Sequence, residues 1–298
     1  MLEKASEIGA HILSGAVIET VALDKLLPNW QDMDSPIKTK VTKDKLSYFG
    51  KNWSVNIPNF LLPPLMKNHG NYIVSLGNVC KWLGEVAESL GVEVYPGFSA
   101  AEVLIDEDDK VYGVATGDMG VSKDGIAKDS WESGMELHAK YTLFSEGARG
   151  SLSKFLIDNF ELSKESDHQK YAIGIKELWE VKEENHQEGL VEHSMGWPLS
   201  EGTGGGSFLY HFGQNLVSIG YVVHLNYTNP YVSPFDEFQQ FKTHPSIKKI
   251  LEGGKRISYG ARAITAGGFQ SVPKLFFPGG ALIGCSCLLY TSPSPRDN

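Results

Sequence analysis

Cysteine is scarce in this chain, with only Cys80, Cys285 and Cys287 among 298 residues. That is too few and too scattered for a disulfide framework, and the usage fits a reducing compartment. Cys285 and Cys287 have no second pair beside them, which makes a poor metal signature and leaves them as ordinary thiols. Positive charge is also short: 27 Lys and Arg against 36 Asp and Glu give a formal charge of −9. Phosphate backbones are held by clustered Lys and Arg, and with no basic stripe a nucleic-acid partner is not expected. No stretch reaches the ~18 apolar residues of a membrane-spanning helix. No basic region followed by an apolar run opens the chain, as a targeting peptide would require. What the chain has in plenty is glycine, 32 residues, within 41% hydrophobic content. That content supports a sizeable core in one large domain or two ordinary ones, with many tight turns.

One further lack bears on function. Met1–Ala5 reads as the end of a strand, with no room before it for the rest of a βαβ unit, so a phosphate-cradling glycine loop is not expected ahead of Glu3. From Ile12 to Trp30, Val17, Ile18, Val21, Ala22, Leu26 and Leu27 recur at helical spacing until Pro28, predicting a short amphipathic segment. Asn71 to Val74 predicts a strand. Val79, Trp82, Leu83, Val86 and Leu90 mark one face of a helix stopped by Gly91. Val92 to Tyr95 follows as a strand, and residues 101–105 and 111–115 predict a hairpin turned by the acidic run 106–109. Tyr171 to Val181, Ser207 to His211 and Val217 to Leu225 predict antiparallel strands, and Phe235 to Leu251 a helix. The expected fold class is therefore mixed α/β. The Ser- and Pro-rich residues 288–298 break the pattern and read as a non-native or disordered tail.

Four segments could carry chemistry. Glu3, at a strand end, has the position from which an acidic residue accepts hydrogen bonds from an adenosine ribose; taken alone it reads as a surface carboxylate. Gly9–Ala16 is small and glycine-rich, so its backbone could approach a flavin or diphosphate closely, or it is simply a turn. The apolar strand 141–144 runs into Ser145-Glu146-Gly147 and then Arg149-Gly150. This is the form of the strand and turn that bring a chain beneath bound FAD, although Arg149 could be a structural ion-pair partner. Phe277–Cys285 has the form of a late strand of such flavoproteins, or of a buried strand with a glycine turn.

Longer strings narrow the reading. Gly9-Ala10-His11 with Leu13-Ser14-Gly15, Asn68–Val74, Gly91–Gly97, Gly196–Leu199, Gly205–His211, Leu251–Ile257, Tyr259–Ala263 and Gly268–Ser271 resemble the electron transfer flavoprotein-ubiquinone oxidoreductase family. The resemblance runs from about Leu2 to Ser286 and is far more specific than a single glycine motif. It implies a two-dinucleotide-domain flavoprotein: a Rossmann-like FAD domain in residues 1–164 and 258–287, interrupted by an antiparallel-sheet ubiquinone domain in 165–257. It implies electrons passing from reduced electron transfer flavoprotein through FAD and a 4Fe-4S cluster to ubiquinone, with no catalytic acid or base.

Carried over by position, the cofactor contacts are Glu3, Ser14, Gly15, Ala101, Ser145, Glu146, Gly147, Gly279 and Gly284, and the ubiquinone contacts Gly205 and Gly206. Ile12, Leu13, Val17, Ile18, Val21, Leu26 and Leu27 would dip into the bilayer. The implied protein is a monomer, monotopic on the matrix face of the mitochondrial inner membrane or on a bacterial cytoplasmic membrane. The chain departs from the family after Ser286 and holds no four-cysteine set for the cluster. It is expected to be an incomplete form that binds FAD poorly. The alternatives are an FAD-dependent reductase or hydroxylase of geranylgeranyl reductase type, and a non-catalytic fragment.

Overall fold

The computed structural model describes residues 1–287 except Ser14 and Glu201; the expected tail 288–298 lies outside the described residues. The chain forms two compact units. One comprises residues 1–8, 91–170 and, of the described residues, 265–287, the other 9–90 and 171–264.

Long β-favouring stretches build the larger unit. Its seven-stranded sheet runs, from edge to edge, Lys255–Thr265, Tyr171–Glu180, Leu216–His224, Gly205–Phe212, Leu190–Gly196, Lys43–Phe49 and Ser54–Ile57. Tyr171–Glu180 pairs antiparallel with Leu216–His224 in unbroken register from Ala172↔His224 to Glu180↔Leu216. Lys43–Phe49 pairs parallel with Leu190–Gly196. One sheet face carries Leu209, Val217, Ile219, Tyr221 and Val223, which pack against Phe238, Phe241, Ile247 and Leu251. The last four belong to helices Pro234–Phe241 and Pro245–Leu251. Each large apolar side chain buried in this way contributes about 1.5–3 kcal/mol. The single helix expected over Phe235–Leu251 is thus broken. Pro245 has no N–H to continue the first helix and instead opens the second.

The same unit has a smaller sheet, ordered Ala16–Ile18, Tyr72–Val74, Thr39–Lys40. The helix Leu76–Ser89, capped by the Ser75 side chain accepting from the Asn78 N–H, packs Val79, Trp82 and Val86 against Trp30, Tyr72 and Val74. Here the helical reading of Ile12 to Trp30 is corrected. The β-branched Val17 and Ile18 pair with Ile73 and Tyr72 as a strand, and only Val21–Leu26 is helical. Trp30 turns back into the core with its indole N–H donating to Asp24 at 2.6 Å.

The other unit is built from short pieces. Leu2–Glu3 pairs parallel with Tyr95–Pro96. Thr142–Phe144 pairs parallel with Gly280–Leu282, which in turn pairs antiparallel with Phe276–Phe277. The expected hairpin is present as Ala100–Ile105 and Val111–Thr116, widened by Glu136–His138. Phe144, Leu282, Phe277 and the hairpin's Val103, Val111 and Val114 form a core with Leu152 and Leu156 of helix Ser151–Asn159. The opposite side of the strands presents the cross-strand row Leu143↔Ala281↔Phe276, with Leu143 62% and Phe276 66% exposed.

Candidate cofactor and quinone site

In a parallel sheet, ligands gather beyond the carboxyl ends of the strands. Three of the expected cofactor segments stand at such ends within the smaller unit. Glu3 closes Leu2–Glu3 and accepts from the Ala5 N–H at 2.7 Å through one carboxylate oxygen. Ser145 to Gly147 follow Thr142–Phe144, and Gly284 follows the adjacent parallel Gly280–Leu282. The two turns lie side by side: a Cβ on Gly284 would sit 3.4 Å from the Ser145 hydroxyl oxygen. Gly147 has φ +82° with nothing within 4 Å of where its Cβ would be, so its backbone is open to a ligand and its conformation favours glycine.

Other expected contacts have different partners. Glu146 turns its carboxylate onto the start of helix Ser151–Asn159, accepting from the Ser153 N–H at 2.6 Å and the Ser153 hydroxyl at 2.7 Å. A carboxylate there satisfies unpaired amides and opposes the positive end of the helix. Gly279 sits at the amino end of its strand, where a Cβ would lie 1.9 Å from the Val111 carbonyl oxygen, so close packing accounts for that glycine. Ala101 is an exposed strand residue of the hairpin.

The remaining calls fall in the larger unit, Ser14 lying outside the described residues. Gly15 is buried at φ +96°, and a Cβ would come within 2.1 Å of the Ser218 side chain. Gly9, at φ +81°, would bring a Cβ to 2.4 Å from the Gly77 carbonyl oxygen. Gly9 is therefore pressed onto the start of helix Leu76–Ser89, and Gly15 onto strand Leu216–His224. Gly205 and Gly206 open strand Gly205–Phe212. A Cβ on Gly205 would meet the Val222 carbonyl at 2.2 Å, and one on Gly206 the Ser194 carbonyl at 2.7 Å. Gly206 and Gly174 flank Val222 across three strands, leaving a strip of sheet without side chains on either side of that valine.

Polar groups beneath this sheet are held firmly. Glu177 accepts from Lys242 at 2.9 Å, from Arg256 at 2.9 Å and from the Trp179 indole at 2.8 Å. Burial pushes its carboxyl up, but the Lys242, Trp179 and Arg256 donors outweigh that and hold it below the usual range. His193 shares a 2.9 Å hydrogen bond with the Tyr210 hydroxyl, and burial lowers its pKa against an opposing pull from Asp44. His211 is wholly buried, accepts at Nδ1 from the Gln187 N–H, and leaves Nε2 without a partner. Burial, His186 and Lys45 bring it down to about 3.

Of the residues expected to dip into a bilayer, Ile12, Leu13, Val17, Ile18 and Leu27 are half-buried, and only Val21 and Leu26 are exposed. Greater apolar exposure lies on the short helical turns Asn59–Leu61 and Pro64–Met66, where Phe60 is 80% and Leu65 81% exposed. Among the described residues no helix is long and apolar enough to cross a membrane, and no three His, Cys, Asp or Glu are grouped to hold a metal.

The fold is one shared with flavin-dependent enzymes. A solved geranylgeranyl bacteriochlorophyll reductase-like structure from Thermoplasma acidophilum superposes with a TM-score of 0.67 at 17% identity, covering 97% of this chain and 65% of its own. A flavin-dependent brominase does so at 0.62 and 15%, covering 96% and 65%.

Sequence narrows the class. Residues 171–264 match the family model described as ETF-QO, ubiquinone-binding. Over 287 residues the chain is 54% identical to an electron transfer flavoprotein-ubiquinone oxidoreductase of Pseudomonas aeruginosa, covering 96% of this chain and 52% of that protein. The human mitochondrial enzyme of the same name is 54% identical over 289 residues, with 96% and 46% covered. The chain is a relative of the electron transfer flavoprotein-ubiquinone oxidoreductases, and spans about half the length of the curated relatives it matches.

Proposed function

We propose that this chain is the flavin- and quinone-handling part of an enzyme that passes electrons from reduced electron transfer flavoprotein, through FAD and a 4Fe-4S cluster, to ubiquinone. The observation that carries the reading is the 54% identity to enzymes of that name over 96% of the chain. The fold by itself fits a geranylgeranyl reductase-like enzyme equally well, so the choice of quinone rests on sequence.

The residues present fit an FAD. Glu3, Ser145 and Gly284 stand at carboxyl ends of parallel strands, and Gly147 is open where a side chain would otherwise project. Glu3, with one carboxylate oxygen committed to Ala5, would offer the other to a ribose hydroxyl. Ser145 and Gly147 would line the cofactor's path. Bound FAD would supply the electron-carrying chemistry, taking electrons one or two at a time. Glu146 would act by fixing the helix behind the turn, and Gly279 by allowing its strand to pack. The cluster's ligands would come from sequence other than these residues.

Residues 165–257 would form the ubiquinone part. Gly205 and Gly206 would bring backbone to the quinone head, and the bare strip beside Val222 suits a flat ring. Gly206→Ala is expected to lower quinone reduction at least tenfold while flavin absorbance is retained. Unchanged turnover would remove the assignment. The proposed site of action is a membrane face, mitochondrial inner or bacterial cytoplasmic, reached by a monotopic monomer. Val21 and Leu26 would contribute to the dipping surface, and the exposed Phe60 and Leu65 would contribute more. Replacing Phe60 and Leu65 with Asp is expected to weaken liposome co-sedimentation at least tenfold, since each such side chain contributes about 1.5–3 kcal/mol on burial; equal binding would place the surface elsewhere.

A further inference from the structure

A shallow cavity of about 220 Å³ opens in the larger unit, lined by Trp179, Lys242, Lys248, Leu251 and Glu252. Trp179 stands five residues along strand Tyr171–Glu180 from Gly174, roughly 17 Å at ~3.4 Å per residue. The cavity is therefore separate from the bare strip beside Val222. It is smaller than a drug-sized pocket and suits a molecule the size of a single amino acid.

Trp179 and Leu251 give the cavity an apolar floor. The indole N–H is committed to Glu177 at 2.8 Å, which fixes the ring. Lys242 holds its ammonium 5.8 Å from the centre of that ring. Two of its donors go to the Glu177 carboxylate at 2.9 and 3.0 Å, which leaves a third. Arg256 shares the same carboxylate, so one negative charge balances two cations and this wall carries an excess of positive charge.

The rim holds two more charges. Lys248 lies in the last turn of helix Pro245–Leu251 and Glu252 is its C-cap, a spacing of four residues at which such side chains can pair. They do not: among the described residues neither the Lys248 ammonium nor the Glu252 carboxylate has an ion-pair or hydrogen-bond partner. The lysine is explained by the helix, whose carboxyl end favours a cation. The glutamate is not, because the unpaired carbonyls there disfavour another negative group. Glu252 is thus misplaced for helix stability and free to meet a cation from outside. A plain anion in the cavity would face Glu252 as a like charge, and a plain cation would face Lys242 and Lys248. A zwitterion satisfies both sides.

We propose that this cavity binds a free amino acid with an apolar side chain. Its carboxylate meets Lys248 and the remaining Lys242 donor, its ammonium meets Glu252, and its side chain lies on Trp179 and Leu251. The inference stands apart from the FAD and ubiquinone readings and uses none of their residues.

The test titrates the full chain by calorimetry with phenylalanine, with 3-phenylpropionate, which lacks the ammonium, and with phenethylamine, which lacks the carboxylate. Phenylalanine is expected to bind at least tenfold more tightly than either. Lys248→Gln and Glu252→Gln, both at exposed positions, should each weaken phenylalanine about tenfold, and Glu252→Gln should at the same time strengthen 3-phenylpropionate by removing the like charge. Lys249→Gln, on the same helix but outside the cavity lining, should change nothing. That crossed pattern is not expected from a loss of folding or from general surface charge. No heat with phenylalanine at millimolar concentration would overturn the proposal. So would equal binding of 3-phenylpropionate, which would make the cavity a simple anion site, or binding that survives both rim substitutions.

Discussion

The larger unit buries a sheet with strands of up to 11 residues, joined mostly antiparallel and roofed by two helices. The smaller unit combines an antiparallel hairpin with parallel pairs of only two or three residues, and beside helix Ser151–Asn159 it leaves Leu143 and Phe276 open. Long antiparallel ladders satisfy their own backbone and tolerate a bare face. Parallel pairs owe their stability to what covers them. The larger unit should therefore depend on its buried polar ties, and the smaller on its apolar core.

The sharpest break of that contrast is at Glu177. Glu177→Ala leaves Lys242 and Arg256 without their shared acceptor beneath the sheet, and a loss of about 3–5 kcal/mol is expected in urea unfolding of the larger unit. Loss below 1 kcal/mol would show that its packing, and not its ion network, dominates. In the smaller unit, Leu156→Ala removes a wholly buried side chain and is expected to cost about 2–4 kcal/mol, read from exchange of the Thr142–Phe144 amides. Acid sharpens the contrast next. His211 is neutral when folded, with its pKa brought down to about 3, whereas the unfolded chain takes up a proton near 6.5. The contribution is therefore present above pH 6.5 and is lost as pH falls toward 3, amounting to about 2 kcal/mol by pH 5. His211→Asn should flatten that slope in pH-dependent unfolding. The smallest effect belongs to the open face: Leu143→Lys is expected to change stability by less than about 0.5 kcal/mol. A larger loss by calorimetry would mean that this face is already covered.

Much of the fold was legible. Helix Leu76–Ser89 and the hairpin at 100–116 were visible because their periodicity is local. Strand Lys43–Phe49 was not, since its opening Lys-Asp-Lys looks like a solvated turn and its parallel partner Leu190–Gly196 lies far along the chain. Val17 and Ile18 fit a helical spacing, yet their branched side chains found a strand partner in Tyr72–Val74. Pro245 was a readable break that the helical reading passed over.

At the candidate site the glycines could be found but their reasons could not. Gly279 answers to the Val111 carbonyl, 168 residues away along the chain, and Gly206 to that of Ser194 on the neighbouring strand, contacts that only the folded chain makes. Glu146 carries a signal that could have been read: Gly150-Ser151 opens a helix, and Ser153 lies where a preceding carboxylate can cap it. Lys176 and Arg262, which donate to the Gly15 and His11 carbonyls at 2.7 and 2.6 Å, offered no such signal, because a cation in a strand looks like any solvated residue until the fold sets a carbonyl against it.

The pairing of Leu143 with Ala281 also has a consequence for biosynthesis. Its two halves are separated by about 140 residues, and all of residues 171–264, the last portion of the larger unit, is made in between. At ~5–20 residues per second, the first strand waits roughly seven to thirty seconds for the second. Throughout that interval Phe144 has no finished core to enter, and by its end all seven strands of the larger sheet have been made. The ribosome thus delivers the larger unit first, and the nascent smaller unit is the stretch with most to gain from a chaperone.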